Sequence, residues 1–221
     1  DWLAIDLEHS AMNLREAEDL IRVIDLKGVS PFARVSSNNP EQIKRVMDSG
    51  AHGIIVPMIK SREDAEQAVQ AVKYPPEGER SIGLSRAQGY GTDFENYFRW
   101  QHDNSIVVVQ IEHIDAVCNL AAILSVPGVD AYITGPYDLS GSLGIPGQFD
   151  APEFVEAMNQ ISILAREAKI PGGQHIVEPD QLQLKECIKH GGRFIAYGVD
   201  NRILDVGCRS GVSHAKEELA K

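Results

Sequence analysis

The residues of this sequence that could do chemistry collect at the ends of short apolar runs. Trp2 to Leu7 contains Asp6 and runs into Glu8 and His9. Pro31-Phe32-Ala33 leads into Arg34, and Val107 to Ile111 carries Gln110 and ends on Glu112. Ala131 to Thr134 runs into Gly135-Pro136-Tyr137-Asp138-Leu139-Ser140. Glu112 and Asp138 are a candidate metal pair. Two carboxylates with water completing the shell suit a hard cation such as Mg2+, and also Mn2+ or Co2+. Two solvated loop carboxylates are the alternative. Asp6 and His9 are a candidate dyad, in which the carboxylate would fix the imidazole tautomer and raise its basicity. A capping Asp beside a loop His would look the same in sequence. Arg34 interrupts an apolar strand, and a buried guanidinium needs an anion. A bound carboxylate or enolate would serve, as would a structural ion pair. In the turn at 135–140, Pro136 has no N–H, so Tyr137 and Asp138 supply the amides that could meet a carboxylate.

Other polar residues carry less. His52, His102, His190 and His214 are expected at the surface, His113 reads as a helix start, and His175, near a strand end, is left open as a residue facing the site. The loop Arg80 to Gly91 is expected near the distal end of a ligand, with Arg86 as a hint of a second carboxylate. No lysine stands at a strand end, which disfavours Schiff-base chemistry.

Short apolar strands alternate with amphipathic helices. Strands are predicted at 2–7, 31–35, 53–59, 105–112, 131–135, 173–176 and 194–199. Helices are predicted at 14–24, 40–49, 62–72, 94–101, 116–124, 152–169 and 180–189, with further helical pieces from Asn201. Ser61 is the expected N-cap of the third helix. Continuous apolar strands between helices mean a parallel sheet covered by helices or closed on itself. No GxGxxG opens a first helix, so a doubly wound dinucleotide fold is disfavoured. The repeated unit suits an α/β (β/α)8 TIM barrel, with chemistry at the carboxyl ends of the strands. Only seven strands are clear, and an open barrel leaves two raw edges. The expectation is that one βα unit before Asp1 is missing; the rival is that Arg80-Ser81-Ile82-Gly83-Leu84 supplies the eighth strand.

The 221 residues suit one domain, 1–221, with about 201–221 as a helical tail. A formal net charge of -11 argues against a nucleic-acid backbone or an anionic membrane as the partner. Cys118, Cys187 and Cys208 have no CxxC spacing and are expected reduced, packed in the core of a cytoplasmic protein.

The ordered motifs resemble those of one family. Asp-Leu-Glu-His at 6–9, Ala-Arg-Val at 33–35, Val-Pro-Met at 56–58, Tyr-Pro-Pro-Glu-Gly at 74–78, Gln-Ile-Glu at 110–112, Gly-Pro-Tyr-Asp-Leu-Ser at 135–140 and Gly-Val-Asp at 198–200 resemble the HpcH/HpaI family of class II pyruvate aldolases, of the phosphoenolpyruvate/pyruvate superfamily. The resemblance implies a TIM barrel, a divalent metal held by Glu112 and Asp138, and a pyruvate-like 2-oxo acid chelating it. It implies a homo-oligomer, a hexamer or trimer, with the C-terminal tail on a neighbouring subunit. The segment 172–177 departs from the family's small apolar run and puts the aldehyde side of the site in doubt. The activity expected is reversible cleavage of a 4-hydroxy-2-oxo acid to pyruvate and an aldehyde, with His9 held by Asp6 as base, Arg34 on the enolate oxygen, and Gln110 with the Tyr137 and Asp138 amides positioning the oxo acid. An acyl-CoA lyase of the citrate-lyase β-subunit type, and a catalytically silent barrel acting as a binding or assembly module, stand as alternatives.

Overall fold

A computed structural model describes residues 1–221. Seven parallel strands pair in chain order: β1 Trp2–Asp6, β2 Ser30–Arg34, β3 Gly53–Val56, β4 Ile106–Ile111, β5 Ala131–Thr134, β6 Gly172–Ile176 and β7 Ala196–Tyr197. Helices fill the crossovers: α1 Leu14–Leu26, α2 Pro40–Asp48, α3 Arg62–Val72, α4 Phe94–Asn104, α5 Ile114–Cys118, α6 Leu120–Leu124, α7 Pro136–Ser142, α8 Pro152–Ala168, α9 Gln181–Lys189 and α10 Asp200–Leu219.

Local chemistry explains most boundaries. Asn13 caps α1 and Ser61 caps α3, each in a reciprocal capping box, with Glu16 and Asp64 reaching back. Pro40 and Pro152 stand at the first helical position, where a missing N–H costs nothing. Alternation along the strands divides the buried residues. Ile5, Ala33, Ile54, Val107, Val109 and Tyr132 join a core of 34 residues between sheet and helices. Phe32, Ile55, Val108, Ala131 and Ile133 face inward as a separate cluster. Trp2, at the start of β1, stacks on Phe194, just before β7, with ring centroids 4.6 Å apart and planes 6° apart. The seven-stranded sheet is therefore curled into a partial barrel around a lumen whose amino end is plugged by aromatic rings.

Several expectations need correction. Arg80 to Leu84 forms no strand; the Arg80 side chain is buried over the Tyr74 ring at 4.0 Å and donates to the Tyr97 hydroxyl at 2.9 Å. No eighth strand joins β7 to β1. The helix predicted over 116–124 is two short helices that meet at Asn119. The turn after β5 is the helix α7, and the 194–199 strand shrinks to Ala196–Tyr197. Cys118 and Cys208 are exposed rather than packed in a core. His52 is half-buried against Trp100, with ring centroids 4.9 Å apart. The tail is one 20-residue helix with no buried residue. No helix is long and apolar enough to cross a membrane.

Phe32 is almost wholly buried in the lumen. Phe32→Ala is expected to cost about 3–5 kcal/mol of unfolding free energy, read from the urea midpoint. A cost under about 1 kcal/mol would show that the lumen plug does not hold the sheet together.

Candidate active site at the carboxyl end of the lumen

Strand parity brings the polar residues together. Phe32, Ile55, Val108 and Ile133 point into the lumen. Two residues beyond Phe32 is Arg34; two and four beyond Val108 are Gln110 and Glu112. On β1, Asp6 pairs in register with Arg34. Gln110 and Glu112 are almost fully buried.

Asp6 and Arg34 form a two-pronged ion pair. Arg34 Nε donates to Asp6 Oδ1 at 3.0 Å, and Nη2 donates to Oδ2 at 2.7 Å. This corrects the expected dyad: Asp6 meets only the His9 backbone N–H, at 3.3 Å, and not its imidazole. A planar guanidinium offers a carboxylate two charge-assisted bonds at once, which a neutral imidazole cannot match. The His9 ring stands at the mouth of the site, 65% exposed, with Nε2 3.7 Å from Glu8 Oε2. Arg34 is thus partnered within the chain, and its third nitrogen, Nη1, lies 3.3 Å from Glu8 Oε2.

Glu8 is not among the candidate residues of the sequence, although it stands in the Asp-Leu-Glu-His run. Its Oε2 is buried and lacks a hydrogen bond, because the Arg34 approach is within ion-pair range but not in hydrogen-bond geometry. Alternation along an extended strand is the signal that could have found it, since it places residue 8 on the same face as Asp6.

Glu112 is held from two sides. Oε1 accepts from the Met58 backbone N–H at 2.7 Å, and Oε2 accepts from the Gln110 side-chain amide. Gly135 lies against it: a Cβ there would stand 2.7 Å from Oε2. Only glycine keeps that approach to Glu112 open. Asp138 sits in the first turn of α7, and its field reaches both Glu8 and Glu112. Tyr137 is exposed and edges onto Phe149 at 5.1 Å. The Tyr137 and Asp138 amides precede the bond from Leu139 N–H to Gly135 carbonyl, at 3.0 Å, which begins the helix.

These carboxylates press on one another. Burial pushes the Glu112 carboxyl up to about 7, against the pull of Gln110 and the Met58 amide, with Glu8 and Asp138 adding to the rise. Burial also raises Glu8, opposed by Arg34. Burial would raise Asp6 too, but the Arg34 hydrogen bonds and charge hold it below its ordinary value. Burial works against the Arg34 charge, yet Asp6, then Glu8 and Glu112, keep it firmly protonated.

Does this donor set fit a hard divalent cation? No three His, Cys, Asp or Glu side chains converge as a closed cage. Buried Glu112 below exposed Asp138, the gap kept by Gly135 and the orphaned Glu8 oxygen nonetheless suit a cation that retains water. The added positive charge would offset the mutual repulsion of Glu8, Glu112 and Asp138.

Arg86 does not reach this site. Nη2 donates to Asp25 at 3.0 Å and Nη1 to the Ser49 carbonyl at 2.9 Å, beneath the amino ends of the strands. Both nitrogens are engaged there, so Arg86 cannot meet a second substrate carboxylate.

The Glu112 shift has a measurable sign. Between its ordinary value of 4.5 and about 7, the unfolded chain releases a proton that the folded chain keeps. Stability therefore falls as pH rises through that window, and the loss is complete above it. In metal-free protein, Glu112→Gln is expected to raise Tm at about pH 8, by about 2–4 °C for each kcal/mol recovered. Gln110 can turn its amide over to match. The advantage should shrink towards pH 5; an equal gain at both pH values would rule out the buried charge as its cause.

Comparison with known proteins agrees with the architecture. The model of the HpcH/HpaI aldolase/citrate lyase family matches residues 1–205. The chain is 36% identical over 213 residues to a 4-hydroxy-2-oxo-heptane-1,7-dioate aldolase of Salmonella heidelberg (strain SL476), covering 95% of this chain and 80% of that protein. It is 37% identical over 207 residues to the protein of the same name from Shigella sonnei (strain Ss046), covering 92% and 78%. The crystal structure of an HpcH/HpaI aldolase from Desulfitobacterium hafniense DCB-2 superposes with a TM-score of 0.89 at 30% identity, covering 98% of this chain and 84% of that one. With Asp6, Arg34, Glu112 and Asp138 gathered at the carboxyl end of a curled parallel sheet, and a family match over nearly the whole chain, the chain belongs to the HpcH/HpaI aldolase/citrate lyase family.

Proposed function

We propose that the chain is a metal-dependent aldolase that reversibly cleaves a 4-hydroxy-2-oxo acid to pyruvate and an aldehyde. One observation carries the reading: a half-buried guanidinium and a buried carboxylate, Arg34 and Glu112, face one lumen end with Asp138 at its rim. That pairing suits a small ligand that is anionic at one end and gains negative charge as it reacts. The relatives named as 4-hydroxy-2-oxo-heptane-1,7-dioate aldolases point to the same substrate class.

Glu112 and Asp138 would hold the divalent cation, and Mg2+, Mn2+ and Co2+ all suit their oxygens. When bound, the cation supplies Lewis-acid polarisation of the 2-oxo group. The chain's own residues do the rest. Gln110, already bonded to Glu112, fixes that carboxylate and borders the oxo acid. The Tyr137 and Asp138 amides meet the substrate carboxylate. A base takes the proton from the 4-hydroxyl, the C4–O bond becomes a carbonyl, and the C3–C4 bond breaks. Its electron pair forms the C2–C3 double bond of an enolate, and C3 is then protonated to give pyruvate. Arg34 stabilises the enolate oxygen, and Asp6 keeps the guanidinium flat against that position. We assign the base to His9, whose exposed ring can approach a substrate entering at the mouth, with Glu8 as the carboxylate facing it.

Pyruvate release from a panel of 4-hydroxy-2-oxo acids, with and without EDTA, tests the reading directly. Activity is expected to vanish on chelation, to return with Mg2+, Mn2+ or Co2+, and to be absent in Glu112→Ala. Full turnover in metal-free enzyme would overturn the proposal.

Arg34→Lys keeps the charge but loses the two-pronged bond to Asp6. The expected loss in kcat is about 10²–10³-fold, measured as pyruvate formed at saturating substrate. A change confined to KM would remove Arg34 from the bond-breaking step.

A further inference from the structure

We propose that His175 contacts the aldehyde half of the bound substrate and selects acceptors that carry a hydroxyl group. The inference rests on the aldolase reading and deepens it.

Register places His175 in the site. Gln110 pairs with Ile133 across β4 and β5, and Ile133 pairs with Gly173 across β5 and β6. Two residues further along each strand come Glu112, Gly135 and His175, on the same inward face. Neighbouring strands lie about 4.8 Å apart, so Glu112 and His175 flank a gap of about 10 Å between backbones. Gly135, between them, puts no side chain into that gap. Gln174, one residue earlier, faces the opposite way, into a cavity of about 450 Å³ between β5, β6, α8 and α9. The inward side of β6 is therefore Gly173 and His175, whose imidazole faces the lumen end that holds Arg34 and Asp6.

The chemistry of its neighbours decides what His175 can bind. Its ring is close enough to Arg34 and Asp6 for both charges to act on it. Burial and the Arg34 charge lower its basicity, opposed by the Gly198 backbone and by Asp6. The ring is held neutral, able to donate one hydrogen bond or accept another, and adds no charge. The acid end of the substrate already has Arg34, the cation and the helix amides. A neutral imidazole in that setting suits an uncharged oxygen; the 2-oxo oxygen would go to the cation and Arg34 and the 4-hydroxyl to the base, which leaves the oxygens that the aldehyde half carries beyond C4. An acceptor lacking a further hydroxyl would leave one nitrogen of the half-buried imidazole without a partner, the Gly198 backbone meeting the other, and that is the stronger source of discrimination.

Aldol addition of pyruvate to glycolaldehyde and to propionaldehyde, with Mg2+, Mn2+ or Co2+ present in turn, tests this. The product 4-hydroxy-2-oxo acid is quantified for wild type, His175→Leu, His175→Ala and His175→Gln. Wild type is expected to favour glycolaldehyde in kcat/KM. The Leu variant should lower that preference about 10-fold, through loss on the glycolaldehyde arm. Gln should restore part of it, because its amide can still bond the hydroxyl. Should Leu not fold, Ala carries the same expectation and takes its place in the test. A wild type without preference, or a preference unmoved in a folded Leu or Ala variant, overturns the role of His175 and leaves the aldolase reading intact. A wild type that joins neither aldehyde to pyruvate under any of the three cations overturns both.

Discussion

One guanidinium shared among several carboxylates is the constraint on which this lumen end depends. Arg34 binds Asp6 through two nitrogens and approaches Glu8 with the third, and its charge is felt at Glu112. Buried charges persist only when paired, yet here the acids outnumber the base. Asp6 holds the best geometry and stays ionised; Glu8 and Glu112 are left partly uncompensated and drift towards the neutral form. A site in that condition favours whatever brings further positive charge.

The partial barrel keeps the arrangement in place. Arg34 sits one inward step beyond the last apolar lumen residue of its strand, and Gln110 and Glu112 one and two steps beyond theirs, so lumen packing beneath sets their height. Arg34 rides above Phe32, and Gln110 above Val108. The Trp2–Phe194 stack draws the first and last strands towards each other without hydrogen bonds between them.

Much of this is legible in the sequence. The alternation of apolar runs and amphipathic stretches locates every strand, and the capping pattern at Ser61 and the Pro at 40 and 152 mark helix starts that the structure shows. Polar residues interrupting apolar strands, Arg34 above all, locate the site end of the lumen. What cannot be read is partnership. Whether Asp6 takes the imidazole three residues away or a guanidinium 28 residues away is decided by strand register, which the sequence states only indirectly. For the same reason Glu8 does not stand out, and Arg86, whose partners lie in the α1 and α2 regions, looks as if it belonged at the opposite end. The exposed cysteines escape prediction because a residue type's average burial says nothing about its helix face.

The division of the buried residues into two groups has an evolutionary consequence. The large group between sheet and helices carries the bulk of the packing, whereas the five lumen residues lie between the aromatic plug at the amino end and the polar residues of the site. Variation at Val108 or Ile133 can therefore reshape the chamber floor while leaving the outer framework untouched. A scaffold partitioned in this way can drift between related reactants by small steps, since the lumen positions nearest the site are separate from the large outer core.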